Sequence, residues 1–216
     1  MGRKRLEEIL LSIRPYSEEL GLDLRKPADR FAWLVASVLF AKRISAGIAK
    51  RTFLLLKEEG LTGPGKMIEA GWDRFVEVLD SGGYVRYDFS TASTLLKLAE
   101  TVKSTEHLER IAGTAGSPRE LERRLMELPG VGPVAASIFL RELRGIWPNA
   151  DPEPSPLALE VAGRLRIRDV KKFEPVLVRL GIEFCKRKRC QACPARGFCR
   201  FTRGRGGPSG RRGSRR

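Results

Sequence analysis

Residues 117–143 read SPRELERRLMELPGVGPVAASIFLREL. The run opens with helix-start chemistry: Ser117 is placed to cap, Pro118 suits the first helical position, and Glu120 completes a capping box. Helical periodicity then carries to Leu128. Pro129-Gly130-Val131-Gly132 interrupts it, and a second helix opens at Pro133 and continues through Ala136, Ile138 and Phe139 to Leu143. Two helices joined by so short a turn form a hairpin. Glycines let its backbone bend tightly and approach a ligand with no Cβ in the way. The second helix starts with open N–H groups at the positive end of its dipole, which is the chemistry of a phosphate site. Gly130, Val131 and Gly132 are therefore candidate phosphate-binding residues, with a plain glycine turn between helices as the alternative.

Outward from this run, the period stays helical and an all-α fold is expected. Leu6, Ile9, Leu10 and Ile13 mark a first amphipathic helix. Phe31, Leu34, Val35, Val38 and Leu39 mark one buried on several faces, and Ser45 is placed to cap a third that stops near Gly60. A short helix is expected over 73–80, and Asp88 is placed to cap the next. Another spans 105–112 and holds the lone His107, read as a surface residue. Pro148, Pro152, Pro154 and Pro156 exclude regular helix over 147–156. Helix resumes over 157–166, and Asp169 is placed to cap a last one from Val170 to Leu180.

A metal site is legible beyond that point. Cys185, Cys190, Cys193 and Cys199 are the only cysteines in the chain and fall within fifteen residues. That spacing is too tight for two ordinary disulfides and suits one metal centre. Thiolates are soft ligands that select an iron–sulfur cluster or zinc. Lys186, Arg187, Lys188 and Arg189 lie between the first two. The chain carries a formal net charge of +15. Residues 186–216 hold twelve Lys or Arg and no acid, whereas the preceding 185 residues are nearly balanced, at 29 basic against 26 acidic. A metal-pinned loop displaying only cations points to a polyanion, with nucleic acid first among them. From Arg203 onward the Gly-Arg-rich composition argues a disordered basic tail. The longest apolar run, Phe31 to Ala41, is too short to span a bilayer, and no membrane association is expected. No apolar segment with a cleavage site follows the basic start, so a cytoplasmic protein is expected, nucleoid-associated in a prokaryote.

The LPGVG hairpin, an acidic residue some twenty positions on, and the four-cysteine loop together resemble the endonuclease III-like DNA glycosylases, the helix–hairpin–helix–GPD superfamily. Gly82-Gly83-Tyr84 also resembles the segment that precedes a helix in that family. The resemblance covers roughly residues 28–200. It implies two helical domains, 28–132 and a cluster-bearing domain of 1–27 with 133–200, followed by a tail over 201–216. It implies a [4Fe-4S] cluster on the four cysteines, with zinc as the alternative, and a monomer acting on double-stranded DNA holding a damaged or mismatched base. Lys42, with Arg43 beside it, stands where relatives wedge a side chain into the base stack. Tyr84, Tyr87 and Trp72 are candidates to stack on the extruded base, or else core residues.

This chain departs from the family pattern in three places. Val134 stands where bifunctional relatives carry the lysine that forms a Schiff base, so a monofunctional glycosylase using water is the coherent reading. Asp151, nineteen residues after Gly132, is the candidate catalytic carboxylate, with Glu153 as alternative. Counting back from Val161, Gly163 and Arg164 puts Ser155 in the aspartate position instead. Lastly, four residues separate the first two cysteines where relatives typically have six. A catalytically inactive, structure-specific DNA-binding or lesion-sensing protein is the alternative function. An RNA-interacting protein, suggested by the Arg-Gly tail, and a lyase using another lysine are weaker ones.

Overall fold

A computed structural model describes residues 2–203, and no strand occurs among them. The elements are α1 (Gly2–Ser12), α2 (Tyr16–Glu19), α3 (Pro27–Phe40), α4 (Ala46–Glu58), α5 (Pro64–Gly82), α6 (Asp88–Val102), α7 (Thr105–Thr114), α8 (Pro118–Met126), α9 (Pro133–Arg141), α10 (Pro156–Leu165), α11 (Val170–Leu180) and α12 (Arg200–Arg203). The caps that hydroxyl and carboxylate side chains announce are in place. Ser45 accepts from the Ile48 amide and Asp169 from that of Lys172. Three expectations change. The helix read over 73–80 is the second stretch of α5, and a further helical stretch with Pro64 in its first turn precedes it, the two broken at Gly71 (φ 73°, ψ 179°). Asp88 lies inside α6 rather than capping it, and its carboxylate turns back to accept from the Phe89 amide. Phe201, Thr202 and Arg203 belong to α12, whereas the rest of the expected tail, from 204, lies outside the described residues.

The chain divides into two units, residues 15–153 and residues 1–14 with 154–216. The larger unit is built round α3, on which Phe31, Trp33, Leu34, Val35, Val38 and Leu39 are buried on all sides. Fully burying each large apolar side chain contributes about 1.5–3 kcal/mol. The boundaries differ from those expected at 27/28 and 132/133, for two packing reasons. Tyr16 stacks on Phe40 at 5.1 Å and the Ser17 amide donates to Glu142, which draws residues 15–27 to α3. Trp33 Nε1 donates to the Phe139 carbonyl, which draws α9 to the same helix.

The smaller unit has its own core. Leu6 and Leu10 of α1 pack with Ala158, Val161 and Leu165 of α10 and with Phe173 and Leu177 of α11. Arg179 ties α11 to the end of the first segment by donating to the Arg14 carbonyl. No helix among the described residues is long and apolar enough to cross a membrane.

Candidate nucleic-acid interface and cysteine loop

The glycine turn between α8 and α9 is held from several sides. Ser117 Oγ accepts from the Glu120 amide, and the Glu120 carboxylate accepts from Gly116 at 2.8 Å, one residue earlier than a simple capping box. That amide, with Arg124 beside it, holds the Glu120 carboxyl below the usual carboxylate range. Val131 is buried and its amide is spent on the Leu128 carbonyl, so it anchors the turn from inside. Gly130 has φ +79°, and a Cβ there would collide with Thr94 Cγ2 of α6 and meet Val38 of α3 at 3.4 Å. Only glycine satisfies both demands.

The same construction leaves donors open. Gly132 is the N-cap residue of α9, so no side chain covers the first amides of that helix. Among the described residues no protein acceptor takes the N–H of Gly130, Gly132, Val134 or Ala135. The Ala136 amide is the first to bond back, to the Gly132 carbonyl. Val134 is 59% exposed beside them. An uncapped, glycine-led helix start of this kind accepts an anion through backbone N–H groups and the helix dipole.

The sequence candidates on α5 and in the turns beside α3 and α6 separate into two kinds. Lys42 and Arg43 fall in the turn after α3, the first half-buried and the second exposed. Tyr84 is corrected to a core residue. It is buried, its hydroxyl donates to the Leu39 carbonyl, and burial pushes its ionisation up. It fastens the turn that carries Lys42 and presents no ring face. Trp72 and Tyr87 stay accessible. Trp72 follows the Gly71 kink, is 40% exposed, and stacks on Phe89 at 5.5 Å and 18°. Tyr87 is half-buried with the Arg86 guanidinium over its ring. Phe89 was not anticipated, although its position off the apolar stripe of Ala92, Leu95 and Leu98 is readable in the sequence.

Asp151 lies in the proline loop that closes the larger unit. Its carboxylate is partly exposed and sits 3.3 Å from Arg144 Nε, while Arg144 Nη2 donates to the Pro152 carbonyl. Asn149 Nδ2 donates to the Ala115 carbonyl and ties the loop to the end of α7. Glu153 is exposed; burial, with the charge of Glu153 second, raises the carboxyl of Glu122 on α8. Ser155 belongs to the other unit as the cap of α10. Its hydroxyl accepts from Ala158, and its amide donates to the buried Glu174 at 2.8 Å.

In the cysteine loop, α11 ends in one π-type turn, Gly181–Cys185, and two single 3-10 turns follow. Cys185, Cys193 and Cys199 pack against the smaller unit's core, and none of the four cysteines is paired in a disulfide. Burial pushes the Cys185 and Cys193 thiols up, while Arg164 beside Cys185 and the Ala195 amide beside Cys193 pull the other way. Were the other three cysteines thiolates, their charge would push the Cys193 thiol up further. Even so, among the described residues no group of three or more Cys, His, Asp or Glu stands close enough together to hold a metal ion. The donor set fits a soft metal by its chemistry: four thiols with an arginine and an amide donating to sulfur. Lys186, Arg187, Lys188 and Arg189 are all exposed, and Lys188 takes a left-handed φ of 54°.

No protein-family model matches this chain, and no match is found among curated proteins or solved structures.

Proposed function

We propose that this protein is a DNA base-excision glycosylase, monofunctional, hydrolysing the N-glycosidic bond of a damaged or mispaired base in duplex DNA. One observation carries the reading: the turn after α8 is forced by packing to be glycine and leaves four amides without an acceptor at the start of α9. Such a site receives a backbone phosphate and positions a strand without reading its sequence. The exposed cations Lys186 to Arg189 add a salt-sensitive, sequence-independent attraction. A centre held by Cys185, Cys190, Cys193 and Cys199, [4Fe-4S] or zinc, would supply no chemistry to the hydrolysis. It would pin the loop that bears those cations.

Asp151 is the carboxylate assigned to the sugar. A negative charge there stabilises the oxocarbenium-like transition state and orients the attacking water. Val134 in place of a lysine leaves no amine at that position to form a covalent adduct. The extruded base costs a few kcal/mol to unstack, least for a mispaired one.

The test is incision. Duplexes carrying uracil, thymine opposite guanine, an alkylated purine or an oxidised base are incubated with the protein, and abasic sites are cleaved with alkali. Cleavage of at least one is expected, with Asp151→Asn slowing it by about 10²–10³, Glu153→Gln leaving it nearly unchanged, and no adduct trapped by borohydride. A second reading has its own support, because Arg144 already engages the Asp151 carboxylate. Tight DNA binding with no cleavage of any substrate would establish that reading, an inert structure-specific DNA binder.

A further inference from the structure

We infer that Trp72 and Phe89 form a stacking shelf for unpaired bases, so that the preferred ligand is DNA with a locally unpaired stretch rather than a fully paired duplex. The inference rests on the DNA-binding reading above and names the class of DNA.

The shelf is built and oriented. Gly71, with φ 73°, breaks the line of α5 and turns Trp72 out. The indole is fixed twice, by stacking on Phe89 and by Nε1 donating to Ser93 Oγ at 2.9 Å. Ser93 in turn donates to the Phe89 carbonyl. Although each ring covers a face of the other, Trp72 keeps 40% and Phe89 60% of its surface exposed. Large aromatics left this bare yet locked in orientation lose little entropy on receiving a flat partner. Base–aromatic stacking contributes roughly 1–3 kcal/mol per base.

Position and charge say what the partner is. Phe89 and Thr94 lie on one helix, about 7.5 Å apart along its axis and about 140° apart around it. Thr94 abuts Gly130 of the phosphate turn. Around the helix between those two directions α6 exposes Ser90 and, nearly one turn beyond Thr94, Lys97, and Arg86 stands exposed just before the helix. Of the neighbouring acids, Asp88 is turned back onto the Phe89 amide and Glu69 is paired with Lys66. Asp73, exposed next to Trp72 in sequence, disfavours a phosphate on that side. A strand held at the turn would thus run its phosphates along the Lys97 side and its bases toward the rings. Paired bases have no face to offer there.

The shelf carries its own reporter. Of the three tryptophans, Trp33 and Trp147 are buried, so quenching of tryptophan emission reads Trp72. The full-length protein is titrated with an oligothymidine, a paired duplex, and the same duplex with a central bubble of unpaired bases. Emission and anisotropy of labelled DNA are followed together. The expected result is strong quenching by the oligothymidine and the bubble and weak quenching by the paired duplex. Phe89→Ala should weaken bubble binding about 10-fold and leave paired-duplex affinity unchanged, and Trp72→Phe should remove the quenching. Equal quenching by all three DNAs, or tight bubble binding without quenching, overturns the shelf while leaving DNA binding at the turn intact. Binding of no DNA at all overturns both. Concentration-dependent self-association lost in Trp72→Ala would assign the rings to a second copy of the chain and also overturn it.

Discussion

The glycine turn after α8 and the cysteine loop after α11 both offer positive character, yet they are made in opposite ways. In the turn, backbone does everything. Packing against Thr94 and Val38 fixes Gly130, Val131 anchors from inside, and the amides at the start of α9 are left without a protein acceptor. In the loop, side chains do everything. Lys186 to Arg189 are exposed, and the thiols that would brace them are neighbours without being gathered. A site made of backbone is finished when the chain folds, whereas a site made of thiols would be finished only by a metal.

The largest effect that would break this contrast is loss of a thiol. Cys193→Ser is expected to abolish metal retention, measured by elemental analysis and absorbance, and to lower the unfolding midpoint by about 10 °C, or roughly 3 kcal/mol for a chain of this size. An unchanged midpoint would mean that the loop, like the turn, is complete on its own. Next in size, Gly130→Ala should cost about 2–4 kcal/mol, from left-handed strain plus collision with Thr94. Adding Thr94→Ala should return the collision part and leave the strain, a coupling that a double-mutant cycle measures by denaturant unfolding. The smallest effect is at Lys188. With φ 54° there, Lys188→Gly should stabilise the loop by up to about 1 kcal/mol while lowering the slope of log affinity against log salt by about 1. A lower slope with no gain in stability would place Lys188 in the electrostatics alone.

Much of the contrast is legible in the sequence, for local reasons. The caps at Ser45, Ser117 and Asp169 follow from side chains acting on amides three residues away, the turn at 129–132 follows from its proline and glycines, and the helices form where these require. What long-range packing decides is not legible. Tyr84 reads equally as a residue that stacks on a base or as a core residue, and the core wins because its hydroxyl donates to the carbonyl of Leu39, 45 positions earlier. The unit boundaries shift because Tyr16 finds Phe40 and Trp33 finds Phe139. The Trp72–Phe89 pair joins residues on two helices that no spacing rule connects. Cysteine spacing announces the donors, but not how they pack against the smaller unit's core.

The central claim, that the amides of this turn hold a DNA phosphate, can be tested at one atom. Gly132 has φ −84°, open space where a Cβ would go, and an N–H that no protein acceptor takes. Alanine therefore fits and keeps the donor, while proline, whose φ lies close to this value, deletes it. Duplex affinity is measured for both variants at one salt concentration. Gly132→Ala should bind within about twofold of the parent, and Gly132→Pro should lose roughly 10-fold or more, as for a hydrogen bond to a charged group. Equal affinity of the two variants, with both folded, would contradict the account.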